Sequence, residues 1–198
     1  MTTKMTLKLD QMKVYFTDYD ANNKAYAHSI GASKTKQLLW FLLGPLLIRN
    51  PMIPFSGFRK WVLELFGATI GKEARIRPGV HIKYPWKLKM GDHVWLGENC
   101  WIDNMTVVNI GSHVCISQGA MLCTGNHNYS SPGFDLIARA IILEDGVWIG
   151  AKALVGPGLT AFSHSVLTAG SIATKNLEAY GIYQGNPAIL VKSRTIKP

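Results

Sequence analysis

Ile70-Gly-Lys-Glu-Ala-Arg-Ile76-Arg-Pro-Gly-Val-His-Ile82 repeats an aliphatic residue every six positions, and that period decides the fold. Working outward, the same spacing returns at Met90, Leu96 and Ile102, then at Ile110, Ile116 and Leu122. After a gap it resumes at Leu143, Ile149, Val155, Ala161, Leu167 and Ala173. The next residue is often Gly, as at Gly71, Gly91, Gly97, Gly111, Gly150 and Gly156. The fourth residue on is small or β-branched at Ala74, Val80, Val94, Cys100, Thr106, Val114, Ala120, Val147, Ala153, Ser165 and Ser171. An amphipathic helix needs spacings of three and four, and a half-buried flat strand needs strict alternation, so neither explains a period of six. Three hexads closing one triangular coil of about 18 residues do explain it. The expectation is an all-β fold: a single-stranded left-handed parallel β-helix of hexapeptide repeats with an N-terminal helical extension.

The period slips where the chain leaves the prism. Two extra residues precede Met90 and two precede Ile110. A larger slip separates Leu122 from Leu143, a step of 21 residues where 18 would close a coil. It opens with Thr124-Gly-Asn-His-Asn-Tyr-Ser-Ser-Pro-Gly133, rich in turn formers, and a loop leaving a rigid scaffold is a usual seat of function. The organisation read from this is an extension over 1–68, a β-helix over 69–178 with an active-site loop at about 124–142, and a tail over 179–198.

The extension begins with a polar stretch, 1–35, holding a short strand candidate at Lys13 to Phe16. Two helical patterns follow. Thr35 to Leu43 is broken by Gly44-Pro45; the second runs from a Ser56 N-cap to a stop at Gly67, with Phe58, Trp61, Val62, Leu65 and Phe66 on one stripe. These helices read first as a cap sealing the core, and more sharply as a peripheral contact with a membrane. Leu38 to Ile48 is too short to span a bilayer.

Composition narrows the function. Of a net charge of +9, residues 1–94 carry 15 Lys+Arg against 6 Asp+Glu and residues 95–198 carry 6 against 6. The excess is N-terminal and dispersed, without an arginine-rich helix or a nucleic-acid module, so nucleic acid is not the expected partner. Cys100, Cys115 and Cys123 form no CxxC pair and leave an odd count, which argues against disulfides and structural zinc. Met1 to Asp20 lacks an apolar signal-peptide core. A cytoplasmic protein, at most seated on the inner face of the membrane, is expected.

Among the six histidines, His93, His113 and His164 fall on the fourth place of their hexads, shared by Gly79, Asn99, Gly119, Gly146 and Gly158, and read as outward corners. His28 has no arguable partner, and His81 precedes a phase slip as a pocket candidate. His127 ends a hexad, opens the large loop and is flanked by Gly125 and Asn126, so it is the catalytic candidate.

The segment Asn109-Ile-Gly-Ser-His-Val-Cys-Ile-Ser-Gln-Gly-Ala-Met-Leu-Cys-Thr-Gly-Asn-His127, with Val147-Trp-Ile-Gly-Ala151, Val155-Gly-Pro-Gly158, Ala169-Gly-Ser171, Thr174-Lys175 and Gly185-Asn-Pro187, resembles the hexapeptide-repeat O-acetyltransferases of the galactoside and maltose type. Gly57 to Gly71 and His127-Asn-Tyr-Ser-Ser-Pro-Gly-Phe-Asp135 are most similar to the colanic-acid biosynthesis branch. The resemblance covers residues 57–192. It implies acetyl transfer from acetyl-CoA to a hydroxyl of a sugar or lipid-linked sugar in exopolysaccharide assembly, without a metal, at sites between subunits of a homotrimer. His127 would be the base. The resemblance makes Asp103 and Asn104 candidates for the acceptor or oxyanion, with Tyr129 and Asp135 as further lining, and it carries Trp148, Ala151, Ala169, Thr174 and Lys175 to CoA. Ile189 stands where the family commonly has Arg, leaving Lys192 or Arg194 to supply that charge. Cys123 invites a Cys-His nucleophile reading, against a packed thiol. Two other functions remain open at this point: a γ-carbonic-anhydrase-like metal enzyme, and a non-catalytic scaffold.

Overall fold

The protein was described with a computed structural model covering residues 30–197, so the strand candidate at Lys13 to Phe16 and His28 lie outside the described residues. Helices α1 (Lys34–Ile48) and α2 (Ser56–Leu65) precede the strands. The first coil is β1 (Thr69–Ile70), β2 (Arg75–Ile76) and β3 (His81–Ile82). The second is β4 (Leu88–Met90), β5 (Trp95–Leu96) and β6 (Trp101–Asp103), and the third is β7 (Val108–Ile110), β8 (Cys115–Ile116) and β9 (Met121–Cys123). A hairpin, β10 (Gly125–His127) and β11 (Leu136–Ala138), interrupts the winding. Coils then resume with β12 (Ile141–Leu143), β13 (Trp148–Ile149) and β14 (Leu154–Val155), followed by β15 (Thr160–Ala161), β16 (Val166–Leu167) and β17 (Ile172–Ala173). The strands β18 (Gly181–Gly185) and β19 (Ala188–Ser193) close the chain.

Coil on coil, these strands stack in parallel into three faces, β1-β4-β7-β12-β15, β2-β5-β8-β13-β16-β18 and β3-β6-β9-β14-β17, with β19 added antiparallel to β18. This is the expected parallel β-helix. Each of the fifteen aliphatic positions of the repeat points inward and is buried, from Ile70 through Ala173. The small corner residues are buried as well, apart from Thr106, which falls beside a phase slip where Val108 fills the core instead.

Histidine corners follow from backbone geometry. His93, His113 and His164 have φ of 56°, 58° and 61°, the left-handed conformation also held by Gly79, Asn99, Gly119, Gly146 and Gly158. Glycine adopts it without a Cβ penalty, and Asn tolerates it better than most residues. The His93 and His113 rings stack at 4.8 Å on successive coils.

The phase slips have distinct structures. Register steps by 20 residues through the first coils, Thr69 to Lys89 to Asn109, and by 18 later, Ile142 to Thr160. The extra residues are absorbed at Pro85–Lys87, a short 3-10 turn, and below it at Asn104. The large slip is deeper than expected. Leu122 and Leu143 are successive core positions on adjoining faces, as Val155 and Ala161 are six apart, so 21 residues replace 6 and the difference builds the hairpin. Despite it, β7 and β12 pair in register, Asn109 with Ile142.

The helices close the prism's first coil, whose outer edge would otherwise expose unpaired backbone. The Trp40 indole donates to Ile82 O (3.2 Å) and Lys83 O (3.0 Å), Lys60 donates to Gly71 O (2.7 Å), and Gly79 N donates to Arg49 O (3.1 Å). Three expectations are corrected. α1 does not break at Gly44-Pro45 but runs to Ile48, because Trp40, Gly44 and Ile48 form one buried stripe against the coil, and that packing outweighs the backbone bond lost at proline. Ser56 is not the N-cap: Phe55 is, while the Ser56 hydroxyl bridges Ile76 N (2.7 Å) and Ala74 O (3.4 Å) on the first coil. The buried face of the second helical segment is Arg59, Val62, Leu63 and Phe66, leaving Trp61 and Leu65 exposed. Arg59 is fully buried and donates to Ile48 O, Asn50 O and Ile53 O, which pins the turn between the helices.

Candidate active site

Thr124 is where the hairpin leaves the third coil. It is fully buried; its hydroxyl donates to Asp103 O (2.9 Å) and accepts from Thr106 N (3.3 Å). Its own amide donates to Asp103 O (3.2 Å), and its carbonyl accepts from Arg139 N (2.9 Å), so both arms of the hairpin are fastened at one residue. Above it β10 and β11 pair antiparallel, Gly125 with Ala138 and His127 with Leu136. The tip is braced by Asn128 N to Asp135 O (2.8 Å) and by the Ser131 hydroxyl to the Asp135 carboxylate (2.6 Å).

His127 sits on this frame with both orientation and tautomer defined. Its Nδ1 is 2.9 Å from Phe134 O, and its ring stacks on the Phe134 ring at 4.3 Å between centroids and 8° between planes. A carbonyl oxygen only accepts, so Nδ1 carries the proton of the neutral ring and Nε2 keeps its lone pair. A neutral imidazole so held is a general base for a hydroxyl.

A cavity of about 390 Å³ adjoins the ring, lined by His127, Tyr129, Arg139, Gly156, Leu159 and Thr174 among others. The structure thus brings together His127, Tyr129 and Thr174 of the residues singled out above. Lys175 is exposed beside Thr174. Asp135 lies outside the cavity lining, engaged with Ser131. Arg139 was not singled out; its stem packs where a Gly158 side chain would stand, and it lines the cleft.

Other candidates lie elsewhere. Asp103 is below the hairpin, with Oδ1 3.0 Å from Lys83 Nζ. Asn104 is fully buried, and both ends of its amide engage Tyr84: Nδ2 donates to Tyr84 O (2.7 Å) and Oδ1 accepts from Tyr84 N (3.0 Å). Trp148 stands outward on the second face, its indole donating to Ser117 Oγ (3.0 Å). Ala151 and Ala169 follow that face on successive coils, joined by the bond from Gly170 N to Ala151 O (2.9 Å). One whole face, that of β14 and β17, separates them from Thr174. Arg194 is occupied by Gly146 O (3.0 Å) and His164 O (3.1 Å), while Lys192 and Ile189 are exposed on β19.

The thiols are poor nucleophiles. Burial pushes the Cys100 thiol up to about 12. Cys123 is also raised, by burial first and then by the Asp103 carboxylate, whose Oδ2 is 4.0 Å from its sulfur. That places Cys123 with packed thiols, not thiolates. Among the described residues no three His, Cys, Asp or Glu side chains converge as metal ligands.

Comparison with known proteins gives the family and the fold. No family model matches the chain. It is 37% identical over 158 residues to WcaF of Escherichia coli K12, a protein assigned to colanic acid biosynthesis as an acetyltransferase, covering 80% of this chain and 86% of that one. The galactoside O-acetyltransferase of Escherichia coli K12 is 29% identical over 134 residues, 66% of each chain. The fold matches the crystal structure of the hexapeptide-repeat acetyltransferase VCA0836 of Vibrio cholerae with a TM-score of 0.73 at 23% identity, over 83% of this chain and 96% of that one. Repeat, excursion and relatives converge: the chain belongs to the hexapeptide-repeat acetyltransferases and is an acyltransferase of the colanic acid biosynthesis acetyltransferase type.

Proposed function

We propose that this enzyme moves an acetyl group from acetyl-CoA to a hydroxyl of a sugar or polysaccharide precursor in exopolysaccharide assembly, with His127 as general base. The observation that carries the reading is the bond from His127 Nδ1 to Phe134 O, which leaves Nε2 free to accept a proton. As the acceptor oxygen attacks the thioester carbonyl, Nε2 takes the hydroxyl proton; when the tetrahedral adduct collapses, the same nitrogen returns it to the departing CoA sulfur. Proton and acyl group balance without an acyl-enzyme, in keeping with the raised Cys123 thiol.

Thr174 and Lys175 are proposed to meet the donor. Trp148, Ala151 and Ala169 are also assigned to the donor, but they stand across a face from the His127 cleft. This separation supports a homotrimer in which the site is shared between subunits, one supplying His127 and a neighbour the Trp148 face. Tyr129 and Arg139 are proposed for the acceptor side, with Asp135 holding the loop and Asp103 supporting the hairpin's root. Asn104, whose amide is committed to Tyr84, is proposed to act through the coil and not on the acceptor.

The test is CoA-thiol release from acetyl-CoA with a panel of galactosides, maltose and nucleotide-sugars, read also as acceptor mass shift. His127→Ala is expected to lower the rate by about 10²- to 10⁴-fold with its melting curve unchanged. A variant at the wild-type rate overturns the assignment of His127. Calorimetry showing no affinity for CoA or acetyl-CoA would replace the enzyme reading with the scaffold.

A further inference from the structure

We infer that the two N-terminal helices are a docking surface for an anionic lipid bilayer, seating the prism on its capped end. From Leu38 onward α1 is apolar on every side. Its Trp40, Gly44 and Ile48 stripe is spent on the first coil, and the opposite stripe, Leu38, Phe41, Leu42 and Leu46, is exposed, with Phe41 at 75%. The turn to α2 projects Met52, 84% exposed, and Phe55; α2 adds Trp61 and Leu65. A soluble face rarely carries such a run of large apolar side chains unless something covers it.

Charge indicates what that is. No Asp or Glu occurs between Asp20 and Glu64, whereas Lys34 opens α1 and Arg49 ends it; on α2, Lys60 is spent on Gly71 O and on Glu64, 3.8 Å away. Lys34 and Arg49 are exposed. Apolar side chains bounded by the exposed cations Lys34 and Arg49, with the single anion of the two helices, Glu64, paired to Lys60, complement the interface of a bilayer bearing anionic headgroups. No helix among the described residues is long and apolar enough to cross a membrane, so the contact is with one leaflet.

Orientation follows from the cap. The bonds from Trp40, Ser56 and Lys60 reach the free edge of the first coil, so these helices lie across the prism's end. The hairpin bearing His127 leaves the third coil. Two coil spacings of about 4.8 Å and a helix thickness of about 10 Å put His127 roughly 20 Å from the lipid. An acceptor sugar carried on a lipid phosphate would present its hydroxyls within reach of that cleft. This last step rests on the proposed acetyl transfer; the docking itself does not.

Cosedimentation of the full chain with phosphatidylcholine vesicles, with and without phosphatidylglycerol, tests it. The protein is expected to pellet with the anionic vesicles, more weakly with neutral ones, and less as salt rises. The triple variant Phe41→Ser, Leu42→Ser, Leu46→Ser is expected to lose at least tenfold of that binding, while its melting curve, light-scattering mass and thiol release with a soluble acceptor stay as in wild type. Wild-type protein that remains in the supernatant overturns the inference. So does a triple variant of altered mass, because the face would then be a contact between copies of the chain.

Discussion

The coils and the hairpin over 125–138 are built on opposite terms. In a coil, one inward side chain per hexad does the work, its neighbours need only be small, and the backbone repeats its bonds coil after coil. In the hairpin almost nothing is buried deeply; its geometry rests on particular bonds at Thr124, Asp135 and Phe134. Stability is thus distributed over the first region, whereas in the second, the proposed chemistry is concentrated on one ring. A repeat tolerates the loss of any single bond better than a tripod does.

The largest effects should separate the two regions cleanly. Beside the rate loss in His127→Ala, Leu122→Ala, which empties a fully buried position one residue before Cys123, is expected to cost about 2–5 kcal/mol in urea unfolding while the residual folded protein keeps its turnover. If His127→Ala instead destabilises as much as Leu122→Ala, the hairpin is part of the core and the contrast fails.

A smaller effect probes the corners. His113→Gly removes left-handed strain worth about 1–2 kcal/mol, against about 0.5–1 kcal/mol of added freedom in the unfolded chain. A net gain of about 0.5 kcal/mol, read as a higher melting temperature at unchanged turnover, is expected. Lost activity would show that this corner belongs to the site.

The smallest effect concerns His81, which stacks on Trp101 at 5.2 Å and lines a cavity of about 470 Å³ beneath α1. Burial, then the charge of Arg49, lowers its pKa; Asp103 opposes this and Lys83 adds to it. The folded pKa lies below the unfolded value near 6.5, so below that pH the unfolded chain binds more protons. The full contribution of His81 is present above about pH 6.5 and is lost as pH falls through the folded pKa. His81→Gln should therefore flatten the acid-side decline of the urea midpoint. An unchanged slope would assign that decline to other groups.

The sequence exposes the coils because a period of six is written in side-chain volume, and each of its fifteen aliphatic positions is buried. It shows where winding stops but not what replaces it. The pairing of Gly125–His127 with Leu136–Ala138 uses short strands of mixed polarity that carry no periodic signal, and the step of 21 residues conceals which face receives the chain again. His127 is legible as an isolated imidazole at a break. Its partner is a main-chain carbonyl, which no residue type announces, and Thr124 and Arg139 act by position. The helices are misread for the opposite reason: stripe and breaker rules assume a single buried face, whereas the coil's edge decides which residues of α1 and α2 are covered.

β7 and β12 pair as if nothing lay between them, although Asn109 and Ile142 are 33 residues apart in the chain. An excursion that leaves its flanking register untouched is a cassette. Lengthening such a loop costs little, since closure entropy grows only with the logarithm of its length. The hairpin can therefore change in length or sequence, and with it the lining proposed for the acceptor, without renegotiating the fold that carries it.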